Sequence, residues 1–255
     1  MEMIHVGTSG WQYRHWRDVF YPRTLSQQEW LPYFAERFQT VEVNNTFYNL
    51  PEKRVFETWA RRTPRDFLLA LKMSRFLTHL KRLDDPEEPV HRFMERASAL
   101  GSKLGPILLQ LPPGLQSDTA RLEDTLAAFP PEVRVAVEFR DPSWFTEETR
   151  AILERHGAAL CLADSPRRTQ PAWRTADWTF VRFHEGSGLH PPGYSDEALR
   201  RWIDRLTELW TPAEDLFVYF NNDRGGHAIE DAVTFARLAQ AKGFSTTRVP
   251  ARAAA

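Results

Sequence analysis

Cysteine occurs once in this chain, at Cys161, so no disulfide can form within it. The residue sits in the apolar run Ala158-Ala159-Leu160-Cys161-Leu162-Ala163, which reads as a buried strand position rather than a reactive thiol. Lysine is also scarce, five residues against 28 arginines. Compositional bias of the source genome explains that imbalance more simply than phosphate binding does. Neither sign of charge dominates, because the formal net charge is −1. That argues against a surface built throughout to attract nucleic acid, while leaving room for a local basic cleft. No apolar run approaches a membrane span, and Met1-Glu2-Met3-Ile4-His5 lacks the charged-then-apolar layout of a signal peptide. A cytoplasmic protein with no membrane partner is expected. Several motifs are missing as well: no glycine-rich dinucleotide fingerprint follows the first strand, and there is no Walker loop, G-x-S-x-G elbow or H-E-x-x-H pair.

What is present is a repeated alternation. Short apolar runs at 4–8, 40–46, 67–72, 106–111, 134–139, 158–163, 179–184 and 216–221 read as eight strands. Between them, residues 25–38, 54–61, 91–100, 119–129, 147–156, 196–209 and 228–242 carry apolar residues at helical spacing. Ser26, Ser117 and Ser195 are candidate N-caps, and Gly157 and Gly243 stand where helices should stop. Strands alternating with helices imply a parallel sheet. Eight repeats in 255 residues allow it to close as a single (β/α)8 TIM barrel. The expected domain is 1–243. A polar loop is expected over 165–176, and 244–255, which has no hydrophobic period, reads as a flexible tail.

Each predicted strand begins apolar and ends polar. Glu42, Asn44 and Thr46 alternate onto one face of strand two, and strand three ends at Lys72, with His79 soon after. Strand four gives Gln110, strand five Glu138 and Arg140, strand six Asp164, and strand seven Arg182 and His184. Strand eight runs into Asn221 and Asn222, then Gly225-Gly226 and a helix. In a barrel these ends converge on one mouth, where active sites of the fold lie. Buried there, Glu42, Lys72, Glu138, Arg140 and Arg182 must neutralise one another, as a structural plug, a ligand site or both. The glycine turn offers backbone N–H groups to an anion. Trp11, Tyr13 and Trp144 are open either to packing under the loops or to stacking on a sugar or base, whereas Trp16, Phe47 and Phe145 read as packing.

Glu138, Asp164 and His184 come from neighbouring strands and have the donor types for a divalent metal. The nearby arginines disfavour one, so no cofactor is expected. Lys72 would form a Schiff base only if its pKa were depressed, and with Glu42 and Glu138 nearby it is expected to be charged and paired.

The ordered motifs resemble a known family. Gly7-Thr8-Ser9-Gly10-Trp11, Trp16 and Phe20-Tyr21-Pro22 open the likeness, and Val41-Glu42-Val43-Asn44-Asn45-Thr46-Phe47-Tyr48 follows. Leu71-Lys72, Thr78-His79, Leu109-Gln110-Leu111-Pro112-Pro113 and Val137-Glu138-Phe139-Arg140 continue it in order. Ser143-Trp144, Val181-Arg182-Phe183-His184 and Tyr219-Phe220-Asn221-Asn222-Asp223 complete it. This is similar to the YecE-like family, a domain of unknown function. The resemblance implies a TIM barrel and supplies no activity. One departure is Glu185, which stands between His184 and Gly186 where the family reads His-Gly.

The leading functional expectation is an enzyme acting on a small anionic or sugar-like molecule. Arg140, Arg182 and the Gly225-Gly226 turn would hold the anion, and Glu42 or Glu138 would move protons with help from His184 or His79. A nucleic-acid-processing protein that grips an extruded base is the second expectation. A non-catalytic binding protein with a structural charge network is the third.

Overall fold

Short segments rich in branched and aromatic residues form parallel strands β1 (Ile4–Ser9), β2 (Thr40–Val43), β3 (Leu68–Lys72) and β4 (Leu104–Gln110). They are followed by β5 (Val135–Glu138), β6 (Ala159–Asp164), β7 (Thr179–Phe183) and β8 (Leu216–Phe220). The computed structural model describes residues 3–164, 170–184, 186 and 193–251. Strands pair in chain order, and β8 returns to β1, with Ile4 opposite Leu216 and Thr8 opposite Phe220, closing the barrel.

The two-residue period of each strand sorts its side chains between two cores. Outward residues such as Val41, Val43, Leu69, Leu71, Ile107 and Leu109 join the layer beneath the helices. Inward residues Ala70, Leu108, Ala136, Cys161, Phe180, Phe217 and Tyr219 pack on one another inside the ring. Fully burying each large apolar side chain stabilises the fold by roughly 1.5–3 kcal/mol. The barrel interior is therefore a filled core and not a channel. Cys161 lies within it, and burial pushes its thiol pKa up, as an inert strand position requires.

The helices are α1 (Trp30–Arg37), α2 (Asn45–Tyr48), α3 (Lys53–Arg62) and α4 (Glu87–Ala97), then α5 (Thr119–Ala127), α6 (Glu147–Arg155), α7 (Asp196–Leu209) and α8 (His227–Ala241). Pro32 explains why α1 starts later than its apolar spacing suggests. With no N–H to give, Pro32 fits only in the first turn, and residues 27–29 form a 3₁₀ turn instead. Pro89 likewise sits in the first turn of α4, which starts at Glu87 rather than near residue 91. Ser195 caps α7 by accepting from the Ala198 N–H. Ser117 does not cap α5. Asp118 does, accepting from Arg121 N at 3.1 Å, and Ser26 makes no capping bond.

Between β6 and β7 the described residues 170–178 contain no helix. The segment is held by side-chain bonds instead: Thr175 Oγ1 donates to Ala158 O and accepts from Leu160 N, and Trp178 donates its indole N–H to Gly157 O. Residues 165–169 of the expected polar loop, and Glu185, lie outside the described residues.

The expectation of a flexible tail is corrected for residues 244–251. Ser245 O accepts from Ile4 N, Thr247 N donates to Ile4 O, and Thr247 Oγ1 accepts from Val6 N. Arg248 O accepts from Gln39 N, and its guanidinium reaches Asp66 at 3.0 Å. Polar residues spaced to complete the edge of β1 have no hydrophobic period, which is why the segment looks loose from sequence. Among the described residues, no helix is long and apolar enough to cross a membrane.

Candidate functional site

The inward period that fills the barrel continues to the C-terminal ends of the strands, where the residue types change. Two residues beyond Ala70 comes Lys72; beyond Leu108, Gln110; beyond Ala136, Glu138; beyond Phe180, Arg182. Glu42 follows Thr40, whose hydroxyl meets the Tyr219 hydroxyl at 2.7 Å inside the ring. Strand geometry thus places a polar layer on top of a dry apolar plug.

Arg182 organises that layer. Its side chain is 1% exposed, and those of Glu42 and Glu138 are 0% exposed. Arg182 Nε and Nη2 donate to Glu42 Oε2 and Oε1 at 2.8 and 2.7 Å, while Nη1 donates to Glu138 Oε2 at 2.6 Å. Ser9 Oγ adds a bond to Glu42 at 3.1 Å, and Gln110 Nε2 reaches both Glu138 oxygens at 2.9 and 3.0 Å. Arg140 Nε closes the set on Glu138 Oε1 at 3.0 Å. Burial opposes the charge on Glu138, but Arg182, His184 and Arg140 outweigh it and hold the carboxyl well below the usual carboxylate range. Glu138 is therefore a fixed anion that anchors cations, which does not suit the proton-donor role expected of it.

Lys72 differs from its expectation. Both nearby carboxylates are already engaged, and its Nζ makes no hydrogen bond and no ion pair within 4 Å among the described residues. It lies instead 4.1 Å from the centre of the Phe47 ring. Burial and the Arg182 and Arg140 charges push its pKa down to about 8, despite the pull of Glu42 and Glu138. His79 sits edge-on to the same Phe47 ring, with Nδ1 2.8 Å from Thr78 Oγ1. Burial, Lys72, Arg140 and Arg75 lower its pKa to about 4. His184 rises at the rim, Nδ1 3.1 Å from Asn221 Nδ2 and Nε2 3.9 Å from Glu138.

Other expected site residues are placed elsewhere. β2 ends at Val43, so Asn44 and Thr46 leave the strand face. Asn44 adopts helical backbone before α2, and Thr46 Oγ1 donates to Val43 O and Lys72 O, pinning β3 to α2. Trp11 is buried edge-on against Trp59. Trp144 is wholly buried, stacked on Phe139 at 4.9 Å, with its indole N–H donated to Leu115 O. Neither ring offers a face to a ligand. Asp164 and Asn222 have the outward parity of their strands: Asp164 Oδ2 accepts from the Tyr194 hydroxyl, and Asn222 Nδ2 donates to Asp231 Oδ2 at 2.7 Å. The metal-ligand trio of Glu138, Asp164 and His184 is therefore split by parity. Among the described residues, no three His, Cys, Asp or Glu side chains form a group that could hold a metal ion.

Gly225 and Gly226 both adopt left-handed backbone, φ +73° and +87°. A Cβ on Gly226 would meet Val19 Cγ1 at 2.7 Å, so the connection between β1 and α1 packs directly on this turn. The Gly226 N–H is already donated to Asp223 O.

Ser9 lies at the polar end of β1, as its place in the sequence implies, and joins the layer through Glu42. Tyr194 and Asp231 carry no such local signal, because the partners of Asp231 come from distant segments: besides Asn222, it accepts from Tyr194 N at 3.1 Å. Burial raises the Asp231 pKa from 3.8 to about 6, only partly offset by those bonds. The folded state then holds a proton that the unfolded chain releases, so this contribution is full below pH 3.8 and is lost as pH rises through 6. On acidification from pH 7 to 4.5, wild type should gain on the order of 2 kcal/mol relative to Asp231→Asn. Urea unfolding of both proteins at the two pH values measures this. Parallel pH profiles would show that Asp231 is not protonated in that range.

A sequence model of the family described as "Protein of unknown function DUF72" matches residues 5–254. UPF0759 protein YunF of Bacillus subtilis is 27% identical, over 90% of this chain and 92% of its own length. UPF0759 protein YecE of Escherichia coli is 29% identical, over 64% of this chain and 60% of its own. The crystal structure of a DUF72 family protein from Thermotoga maritima superposes with a TM-score of 0.81 at 29% identity, covering 94% of this chain and all of that one.

Proposed function

The chain belongs to the DUF72 family, that of the YecE-like proteins, which provides a fold but no activity, and from the mouth's own geometry we propose an enzyme that binds a small anionic or sugar-like molecule there. One observation carries this reading. Arg182 and Arg140 together balance the two buried carboxylates, so Lys72 brings positive charge to the mouth in excess, and the outer face of Arg140 is left open to a ligand. The terminal nitrogens of Arg140 make no hydrogen bond among the described residues, and its side chain is 26% exposed. A carboxylate or phosphate oxygen fits that vacant fork. Lys72, with a pKa of about 8, is suited to moving protons near neutral pH, His184 stands at the rim, and Glu42 and Glu138 hold the cations in place. Cytoplasmic work on a metabolite is consistent with this reading.

The test is thermal unfolding of wild type and Arg140→Ala against a panel of carboxylates and sugar phosphates. At a hundredfold excess over Kd, a true ligand should raise the wild-type Tm by about 5–10 °C. Arg140→Ala should lose most of that rise; its ligand-free Tm should fall by a few degrees, because Glu138 keeps Arg182 and Gln110 but loses one partner, and the ligand shift is read against that lower baseline. No stabilisation of wild type by any anion would retire the proposal. Arg182 is unsuited to this test, because its removal breaks the buried network itself.

A second reading, single-stranded nucleic acid, is supported by a cleft of about 570 Å³ flanking the mouth. Tyr48, Phe76 and Leu80, 71%, 39% and 62% exposed, line it together with Arg75, Arg92 and Arg96. Exposed rings beside arginines suit base stacking with phosphate contact. Under that reading, an oligonucleotide should bind more weakly to Phe76→Ala, with an affinity that falls steeply with salt. Binding indifferent to both would exclude it.

A further inference from the structure

We infer that Lys72 is a nucleophilic amine that condenses with the carbonyl carbon of a small aldehyde or ketone bearing an anionic group. The inference rests on the anion-binding reading of the mouth and narrows its substrate class.

Its position comes first. Lys72 is the last residue of β3 and has the inward parity of Ala70, so its side chain enters the polar layer at the C-terminal end of the barrel. Its backbone is fixed by the Thr46 hydroxyl on Lys72 O at 2.7 Å, and its amine by the face of Phe47. A nucleophile needs such a defined approach.

Its electrostatics come second. A buried lysine is ordinarily neutralised by a carboxylate, and two carboxylates lie in this layer. Glu42 is chelated by two nitrogens of Arg182 and further bonded by Ser9, and Glu138 is taken by Arg182, Arg140 and Gln110. The two guanidiniums already balance the two carboxylates. The Lys72 ammonium is then a further positive charge in a low-dielectric pocket, and shedding its proton relieves that cost. The Phe47 face pulls the other way, since it favours the ammonium, and chiefly holds the group in place. With a pKa of about 8, about a tenth of the amine is neutral at pH 7. An exposed lysine is several-hundredfold less often neutral at that pH.

The chemistry balances without an added oxidant or reductant. The amine lone pair forms the N–C bond as the carbonyl π pair moves to oxygen; the nitrogen gives up one proton and the oxygen takes one up, leaving a carbinolamine. A second proton on that oxygen lets it leave as water while the nitrogen lone pair closes the C=N bond, and the resulting protonated imine accepts electrons from a neighbouring C–H or C–C bond. Arg140 would hold the anionic group of the same molecule, and His184 at the rim is placed to exchange the protons.

Imine trapping with sodium borohydride tests this on the wild-type protein. The probes are pyruvate and glycolaldehyde phosphate, with acetone as the uncharged comparison. The chain has five lysines: Lys53, Lys72, Lys81, Lys103 and Lys242. The expected result is one reduced adduct per chain, mapped by peptide mass to Lys72, formed at least tenfold faster with the anionic carbonyls than with acetone. Its rate should be half-maximal near pH 8. Adducts spread over the exposed lysines, or a Lys72 rate that keeps climbing past pH 10, would overturn the inference. Lys72→Met should abolish the adduct. If that variant fails to fold, the site map and pH profile of wild type still decide. Should carboxylates and sugar phosphates stabilise the protein while no Lys72 adduct forms, only the covalent step fails. Should they give no stabilisation, the binding reading fails as well.

Discussion

Arg182→Met should destabilise the protein by about 3–5 kcal/mol at pH 7, a large part of the stability of an ordinary domain. The cost is not the loss of an attraction in itself. Arg182 is the shared partner of two fully buried carboxylates, and methionine leaves both in an apolar surround with fewer donors. For Glu138, Gln110 and Arg140 remain, while Glu42 keeps Ser9. pH gives a second signature. In wild type the Glu138 pKa is held down, so its contribution is present above the unfolded carboxyl range near 4.5 and is lost only as pH falls through its lower folded value. Without Arg182, burial of Glu138 dominates and protonation relieves the strain, so the gap between variant and wild type should narrow as pH falls from 7 to 5. The triple variant Glu42→Gln, Arg182→Met, Glu138→Gln should recover much of the loss, because no buried charge is then orphaned. Urea unfolding measures all of these. An Arg182→Met protein as stable as wild type at pH 7 would mean that the network carries little of the fold.

Trp144→Ala should cost about 3–5 kcal/mol by the same measurement. The ring fills a space beneath the loop after β5, stacked on Phe139, and its N–H satisfies the carbonyl of Leu115 after β4. Alanine leaves a cavity and an unpaired carbonyl in two adjacent loops. Trp144→Phe separates the terms: the ring contact largely survives, and the cost should fall to about 1–3 kcal/mol, that of an unsatisfied buried acceptor. An alanine variant with wild-type stability but weakened ligand binding would return Trp144 to the mouth.

These predictions also mark where sequence reading succeeds. The eight strands and the convergence of their polar ends were legible because both follow from local periods: two residues along a strand, three to four along a helix. Glu42, Lys72, Gln110, Glu138 and Arg182 were placed together on that basis alone, and they do meet. Residues just past a strand were harder. Asn44 and Thr46 follow the strand period on paper, but the chain turns into α2 at Asn45, and parity no longer holds. Asp164 and Asn222 stand at polar strand ends, but their parity turns them outward, toward Tyr194 and Asp231. The proximity of Lys72 to Glu42 and Glu138 is visible in sequence, whereas the prior claim of Arg182 on both is a three-dimensional fact. The docking of 244–251 and the Tyr194–Asp231 bond share that origin, joining segments with no common local pattern.

The pairing of β1 with β8 and with the 245–247 segment sets a schedule for the newborn chain. β1 leaves the ribosome about 200 residues ahead of β8, so one of its edges has no partner until residues 216–220 are made, and Val6 and Ile4 await Thr247. At about 5–20 residues per second that delay is roughly 10–50 s. Throughout it, an apolar strand with unpaired amides is open to other nascent chains. Slow translation should thus make this protein more dependent on chaperones, whereas in a permutant that begins at β8 the partners of that edge are already made when β1 emerges.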